Sequence, residues 1–267
     1  MDLATIVGLV VAIVGIVGGN MVEGGSPLRL VNIPGAMIVF GGTIGATMMG
    51  FPLSTMVQVP RFIMKAFMGG TQHDSAANVD LFCSMADKAR REGLLALEAD
   101  VEKIDDEFTR KGVQLMIDGT DPELLREIME IEAEAIKHRH EGNFAVFEAM
   151  GGIAPTIGVL GAVMGLMGVM ANLSNPEEIG PGVATAFVAT FYGVSSANVL
   201  WIPIANKLKA NSKHEQHALA IVIEGLMSIQ SGDNPRIVRE KLEGFLGPSE
   251  RNKGGATNDG GREREAA

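Results

Sequence analysis

With 267 residues, 46% of them apolar and only 20% charged, the chain is long enough for one or two soluble domains. Its formal charge of −10 disfavours nucleic acid as a partner, and its single cysteine, Cys83, excludes an internal disulfide and fits a reducing compartment. The charges are not spread as a soluble surface needs: residues 3–22, 30–60, 149–173 and 179–206 contain no Asp, Glu, Lys or Arg. A bilayer-crossing helix takes about 20 apolar residues, and four such runs in one chain argue for four membrane spans.

The first run lacks the basic start and small-residue cleavage site of a signal peptide and is expected to stay as an uncleaved span. "EGGSPLRLVNIP" joins it to the second run and "SNPEEIGPG" joins the third to the fourth, both short and rich in turn formers. Basic residues set the orientation. Eleven of the 22 lie between Leu53 and Glu148 and ten follow Asn206, with Arg61, Lys65, Lys137, Arg139, Lys207, Lys209 and Lys213 near the membrane ends. Both large segments, and both termini, are therefore expected on the cytoplasmic side.

The fold class expected is all-α: an integral membrane protein with four transmembrane helices and a large helical cytoplasmic domain. Residues 1–52 hold transmembrane helices one and two, 53–148 the cytoplasmic loop, 149–206 helices three and four, 207–246 C-terminal cytoplasmic helices, and 247–267 a glycine-rich, charged stretch that reads as a disordered tail. In the loop, Leu94, Leu97, Val101, Ile104 and Phe108 fall at offsets that make one apolar stripe on a single helix. Gly119 stops that run. A second helix restarts with Thr120 or Asp121 as N-cap and Pro122 in the first turn, and it continues through "EGNFAVFEAM" into span three. After span four, two further helices are expected, the second capped by Asp233 or Asn234 ahead of Pro235.

Motifs for chemistry are few. "HEQH" at 214–217 spaces its histidines three apart rather than four and has no evident third ligand, so it reads as a solvated helix face and not a metal site. No P-loop, dinucleotide fingerprint or nucleophile elbow occurs, so an enzyme is disfavoured and no cofactor is expected. In span three, Gly158, Gly161, Gly165 and Gly168 keep three- and four-residue spacing. Close packing within the chain and a sliding face toward another subunit both fit that stripe. Pro155 frees a carbonyl, and Thr156 brings a hydroxyl that lipid tolerates only when partnered. Span four adds Thr185, Thr190 and Tyr192, the two threonines lying about 140 degrees apart on a helix. Back-bonding to a carbonyl one turn earlier would satisfy such hydroxyls without any pore. Ion pathways through membranes usually carry a carboxylate, and no span has one in its middle. An ion conducted here must use a carboxylate from another chain.

The stretches "ARREGLLALE" (89–98), "DDEFTRKGVQLMIDGTDPELLREIME" (105–130), "APTIGVLGAVMGLMG" (154–168), "IGPGVATAFVATFYG" (179–193), "WIPIANKL" (201–208) and "NPRIVREKLEGFL" (234–246) resemble the MotA/PomA family, the larger membrane subunit of the bacterial flagellar stator, in the MotA/TolQ/ExbB superfamily. The likeness covers nearly the whole chain apart from the tail. It implies a location in the bacterial cytoplasmic (inner) membrane and a homo-pentamer around two copies of a MotB-like single-span partner whose membrane helix bears an aspartate. Ion flow through that aspartate would turn the pentamer and drive the rotor protein FliG for motility. The resemblance implies that Arg90 and Glu98 engage FliG; helix geometry adds Arg91 as a secondary candidate, since on a helix unbroken through Gly93 it aligns more closely with Glu98 than Arg90 does. The resemblance also implies that Pro155 and Pro203 serve torque and that Thr156, Phe187 and Thr190 line the partner aspartate or its ion. Ala162 stands where sodium-driven relatives usually carry threonine, so protons are the expected ion. Two other readings compete. A TolQ/ExbB-type subunit energising outer-membrane processes usually has three spans and the opposite N-terminal orientation, which the short first hairpin and large second loop disfavour. A passive membrane scaffold would equally use glycine faces and charged helices.

Overall fold

The described residues, 3–68, 75–171, 174 and 176–247 of the computed structural model, form helices and no strand. The tail expected over 247–267 lies, apart from Gly247, outside them. Helix α1 is Leu3–Val22 and α2 is Ile33–Gly50, the latter containing a π turn at Met37–Gly41. Asn32 caps α2 by accepting from the Gly35 amide at 2.8 Å, and Phe51-Pro52 follows its end, where a proline cannot continue the helical ladder. The charge-free stretch 30–60 is thus longer than the helix it contains. Its last residues begin α3, Val59–Met68, an amphipathic helix with Phe62 and Ala66 buried.

Helices α4 (Ser75–Glu92) and α5 (Glu107–Ile117) lead to α6, Pro122–Ala171, a single helix of 50 residues. Asp121 accepts from the amides of Glu123 and Leu124 at its start, and the preceding Gly119 takes φ +77, the stop and restart that the sequence signals. Helix α7 is Pro176–Ser196. A π turn at Ala197–Trp201 joins it to α8, Ile202–Gln230, and α9 is Pro235–Glu243 with Asn234 accepting from the Arg236 amide at 3.0 Å. Among the described residues four helices are long and apolar enough to cross a membrane, in the segments Leu3–Val22, Ile33–Gly50, Pro122–Ala171 and Ile179–Gln230.

Two expectations are corrected. Leu94 to Phe108 is not one helix: α4 ends at Glu92, Gly93 takes φ +88, Leu94–Leu97 winds as a 3-10 turn, Glu98–Val101 makes a single helical turn, and Asp106 caps α5 by accepting from the Thr109 amide. A left-handed glycine ends the first helix and an aspartate cap begins the next, so the apolar spacing survives only because every segment faces the same core. Leu97, Val101, Ile104 and Phe108 are all buried there. The first helix expected after span four is likewise not separate, since span four runs through the π turn into α8.

The chain divides into two compact units, the described part of residues 1–70 with 139–211, and that of 71–138 with 212–267. In the first, α3 packs with the spans, and Phe62, Val146, Phe147, Met150, Ile204 and Leu208 form a core. In the second, α4, α5, the first turns of α6, the last turns of α8 and α9 share an apolar core around Phe82, Met116, Leu125 and Leu226. Cys83 is buried in it, and that burial raises its thiol pKa.

Ion pairs edge this second core. Asp100 accepts from Lys103 at 2.8 Å and from Lys88 at 2.5 Å, hydrogen bonds that hold its carboxyl below the ordinary carboxylate range. A carboxyl whose pKa is lowered by folding stabilises the fold above its unfolded pKa of about 3.9, and that contribution is lost as pH falls through the lower folded value. Asp100→Asn should therefore lower the thermal midpoint of the detergent-purified protein near neutral pH, and the gap to the parent chain should close on acidification below the ordinary carboxylate range. A gap independent of pH would remove the ionic account of this cluster.

Candidate functional site

Spans three and four, within α6 and α7, approach backbone to backbone. A methyl group on Gly193 would lie 2.6 Å from the Ala154 carbonyl oxygen and 2.9 Å from the Gly158 Cα, and one on Gly158 would lie 3.0 Å from the Ala189 carbonyl oxygen. A methyl on Gly165 would meet Ala186 Cβ at 3.0 Å, and one on Gly161 would meet Ala189 Cβ at 2.9 Å and Ile38 of α2 at 3.2 Å. Three of the four glycines singled out in the sequence thus face helices of their own chain. Gly168 differs, with nothing within 4 Å. Lipid supplies little drive for apolar helices to associate, so this close approach is what lets dispersion hold them.

Polar groups tie the same helices at one end. The Asn32 amide donates to the Tyr192 hydroxyl at 2.9 Å, Tyr192 donates to the Leu30 carbonyl, and Asn32 Nδ2 donates to Thr185 Oγ1 at 3.0 Å. Thr185 passes its own proton to the Pro181 carbonyl at 3.0 Å. Gly35 sits against Ala189, where an added methyl would be 3.6 Å from the Cα. The hairpin between spans one and two is therefore pinned to span four. Nothing local in the sequence marks Asn32 or Gly193: the partners of Asn32 lie 153 and 160 residues away, and those of Gly193 lie across an antiparallel helix pair.

The remaining candidates range from half-buried to exposed. Thr156 is exposed and donates to the Ile153 carbonyl at 2.7 Å, and Phe187 is 72% exposed. Pro155, Ala162 and Thr190 are half-buried and Pro203 is exposed. Thr190 Oγ1 stands 3.5 Å from both the Ala186 and the Gly158 carbonyls, bridging from span four to span three where Thr156 and Thr185 bond back along their own helices. Asn198, which the sequence reading does not single out, is exposed within the π turn at Ala197–Trp201 and donates through Nδ2 to the Val194 carbonyl at 2.9 Å. Pro155 lies inside α6, where it leaves the Gly151 carbonyl without its usual donor. Pro203 follows the π turn, in which the Ile202 amide donates to the Ala197 carbonyl five residues back. None of the spans contributes an ionisable side chain other than Tyr192.

In the second unit, Arg90, Arg91 and Glu98 are all exposed. Arg91 pairs with Asp87 at 3.0 Å, an exposed i,i+4 pair of small energetic weight. The break at Gly93 removes the unbroken helix on which Arg91 would align with Glu98, and the expected alignment is lost. Among the described residues no group of three or more His, Cys, Asp or Glu could hold a metal. In "HEQH", His217 Nε2 lies 2.6 Å from the Phe245 carbonyl and Gln216 donates to the Ala133 carbonyl, both contacts within the second unit.

Comparison with known proteins bears directly on this arrangement. Residues 100–221 match the MotA/TolQ/ExbB proton channel family and residues 6–93 match the Motility protein A N-terminal family. The chain is 38% identical to Motility protein A of Bacillus subtilis (strain 168) over 270 residues, covering 100% of both chains. Its fold matches the flagellar MotAB stator complex structure from Bacillus subtilis with a TM-score of 0.87 at 38% identity, covering 93% of this chain and 98% of that one. It matches the C. jejuni MotAB structure with a TM-score of 0.88 at 31% identity, covering 93% and 97%. The chain belongs to the MotA/TolQ/ExbB proton channel family. Within that class it is a flagellar stator subunit of the motility protein A kind.

The tight crossing of spans three and four gives a direct check. Gly193→Ala must push the Ala154 carbonyl and Gly158 away, costing roughly 1–3 kcal/mol, whereas Gly168→Ala meets nothing. Thermal denaturation of the purified membrane protein should register the first and not the second. Equal midpoints would mean the two helices adjust freely.

Proposed function

We propose that this chain surrounds a single-span, MotB-like partner as a homo-pentamer in the bacterial inner membrane, with both termini cytoplasmic, and that it converts proton flow through the partner's membrane aspartate into torque on the rotor protein FliG. The observation that carries this reading is the absence of any carboxylate or basic group from four spans of an ion-channel family member. A wall without a charge of its own needs one lent by a neighbour, because an ion crossing hydrocarbon requires a partner group.

In this reading Thr156, Phe187, Thr190 and Ala162 face the partner helix, with Pro155 and Pro203 marking where α6 and the α7–α8 run depart from regular hydrogen bonding. A proton needs only a carboxyl and water, whereas sodium needs several oxygen ligands, and Ala162 offers none. The second unit carries Arg90 and Glu98 toward the rotor. Exposed charges are weak individually, and they suit contacts that form and break repeatedly. Gly158, Gly161 and Gly165 hold spans three and four together behind the pathway.

Two measurements test it. Co-expression with a partner whose plug segment is deleted should acidify the cytoplasm, and loss of the partner aspartate should abolish that leak. Thr190→Ala should reduce the leak several-fold more than Thr185→Ala, since Thr185 is committed to Asn32 and Pro181 whereas Thr190 bridges the crossing. Sodium-dependent flux, or equal effects of the two threonines, would overturn the proton pathway as drawn. Charge reversal at Arg90 or Glu98 should impair swimming while leaving membrane assembly and leak intact, with partial rescue by reversed charges on the rotor side. Loss of assembly would make those residues structural.

A further inference from the structure

The second unit displays few large apolar side chains to water. Among its described residues Leu95 is 72% exposed, ahead of Ile131, Leu124 and Ile237. Its setting is unlike theirs. Gly93, at φ +88, closes α4 with its amide on the Ala89 carbonyl at 2.9 Å, and the chain then winds as a 3-10 turn packed on α4 and α5. In 3-10 winding, residues three apart lie on one side. Leu94 and Leu97 therefore share the inward side, where Leu97 is fully buried and Leu94 packs on the same core. Leu95 and Glu98 share another side, and both are exposed. The inward pair fixes the turn, so Leu95 is held out by packing rather than left loose.

Exposed charges stand on both sides of it in the sequence. Arg90, Glu92 and Glu98 are exposed and make no ion pair among the described residues, whereas their neighbour Arg91 is held by Asp87. An exposed apolar side chain with exposed charges of both signs within five residues of it in the chain has the composition of an interface centre and its rim. Charged groups at a rim guide approach and orientation, while hold comes from the apolar group that loses its water.

Resting on the reading of Arg90 and Glu98 given above, we propose that Leu95 is the apolar anchor of the rotor-engaging face. Its occupant is a protein surface with a small apolar pocket, flanked on one side by a carboxylate to meet Arg90 and on the other by a basic side chain to meet Glu98. One anchor among screened charges gives a grip that forms and releases within a working cycle.

The test uses the full stator complex in cells. Leu95→Asp should weaken rotor engagement by roughly tenfold or more, read as lost swimming and fewer fluorescently tagged stators at motors. Leu95→Met should swim like the parent, Ile131→Asp should be unaffected, and a photo-crosslinker at position 95, but not at 131, should capture the rotor protein. The leak through the plug-deleted complex should be unchanged by Leu95→Asp. Parent-like swimming of Leu95→Asp while Arg90 and Glu98 reversals impair motility overturns the anchor alone. Parent-like swimming of all three overturns the rotor face as well. A reduced leak in Leu95→Asp would make the residue structural and also overturn the proposal.

Discussion

The contact between the Gly158 and Gly193 backbones governs the rest of the membrane unit. Hydrophobic burial drives little association between helices in lipid, so spans three and four hold by approach distance, and two facing glycines permit an approach that any Cβ would block. From that contact follow the bridging position of Thr190, the placing of Ala186 and Ala189 against Gly165 and Gly161, and an outer face free for a partner helix. The Asn32, Tyr192 and Thr185 hydrogen bonds then bring α2 onto the same pair. The second unit obeys a different rule. Its core around Phe82 and Leu226 is driven by water, and its ion pairs sit at the edges where they contribute little individually.

Much of this was legible in the residues. Runs without Asp, Glu, Lys or Arg marked the spans because a charge in hydrocarbon is costly wherever the helix packs. Asp121-Pro122 and Asn234-Pro235 announced helix starts because capping is local chemistry, complete within four residues. The misreading at Leu94 to Phe108 has an equally physical cause. Apolar spacing reports which residues face a core, and several short pieces facing one core can imitate a helix. Gly93 and Asp106 carried the contrary signal, a left-handed stop and a capping start.

What stayed hidden depends on distant neighbours. Asn32 looks like any loop asparagine until Thr185 and Tyr192 are folded against it, and Gly193 resembles a helix weak point until Ala154 lies opposite. The glycine stripe could be counted but not divided: only the structure separates Gly158, Gly161 and Gly165, which meet other helices of the chain, from Gly168, which does not. Thr156, Thr185 and Thr190 are the same residue type in similar surroundings, and their different acceptors arise from helix phase relative to a neighbour.

The π turn at Ala197–Trp201 alters that phase within span four itself. A wider turn accommodates one extra residue, which rotates everything beyond it by about 100 degrees relative to a uniform helical wheel. Phe187 and Lys209 therefore cannot be placed on a common projection. A cysteine-accessibility scan through this helix will show two regular patterns out of step with each other, and the join, just ahead of Pro203, lets the buried and outward sides be chosen separately above and below it.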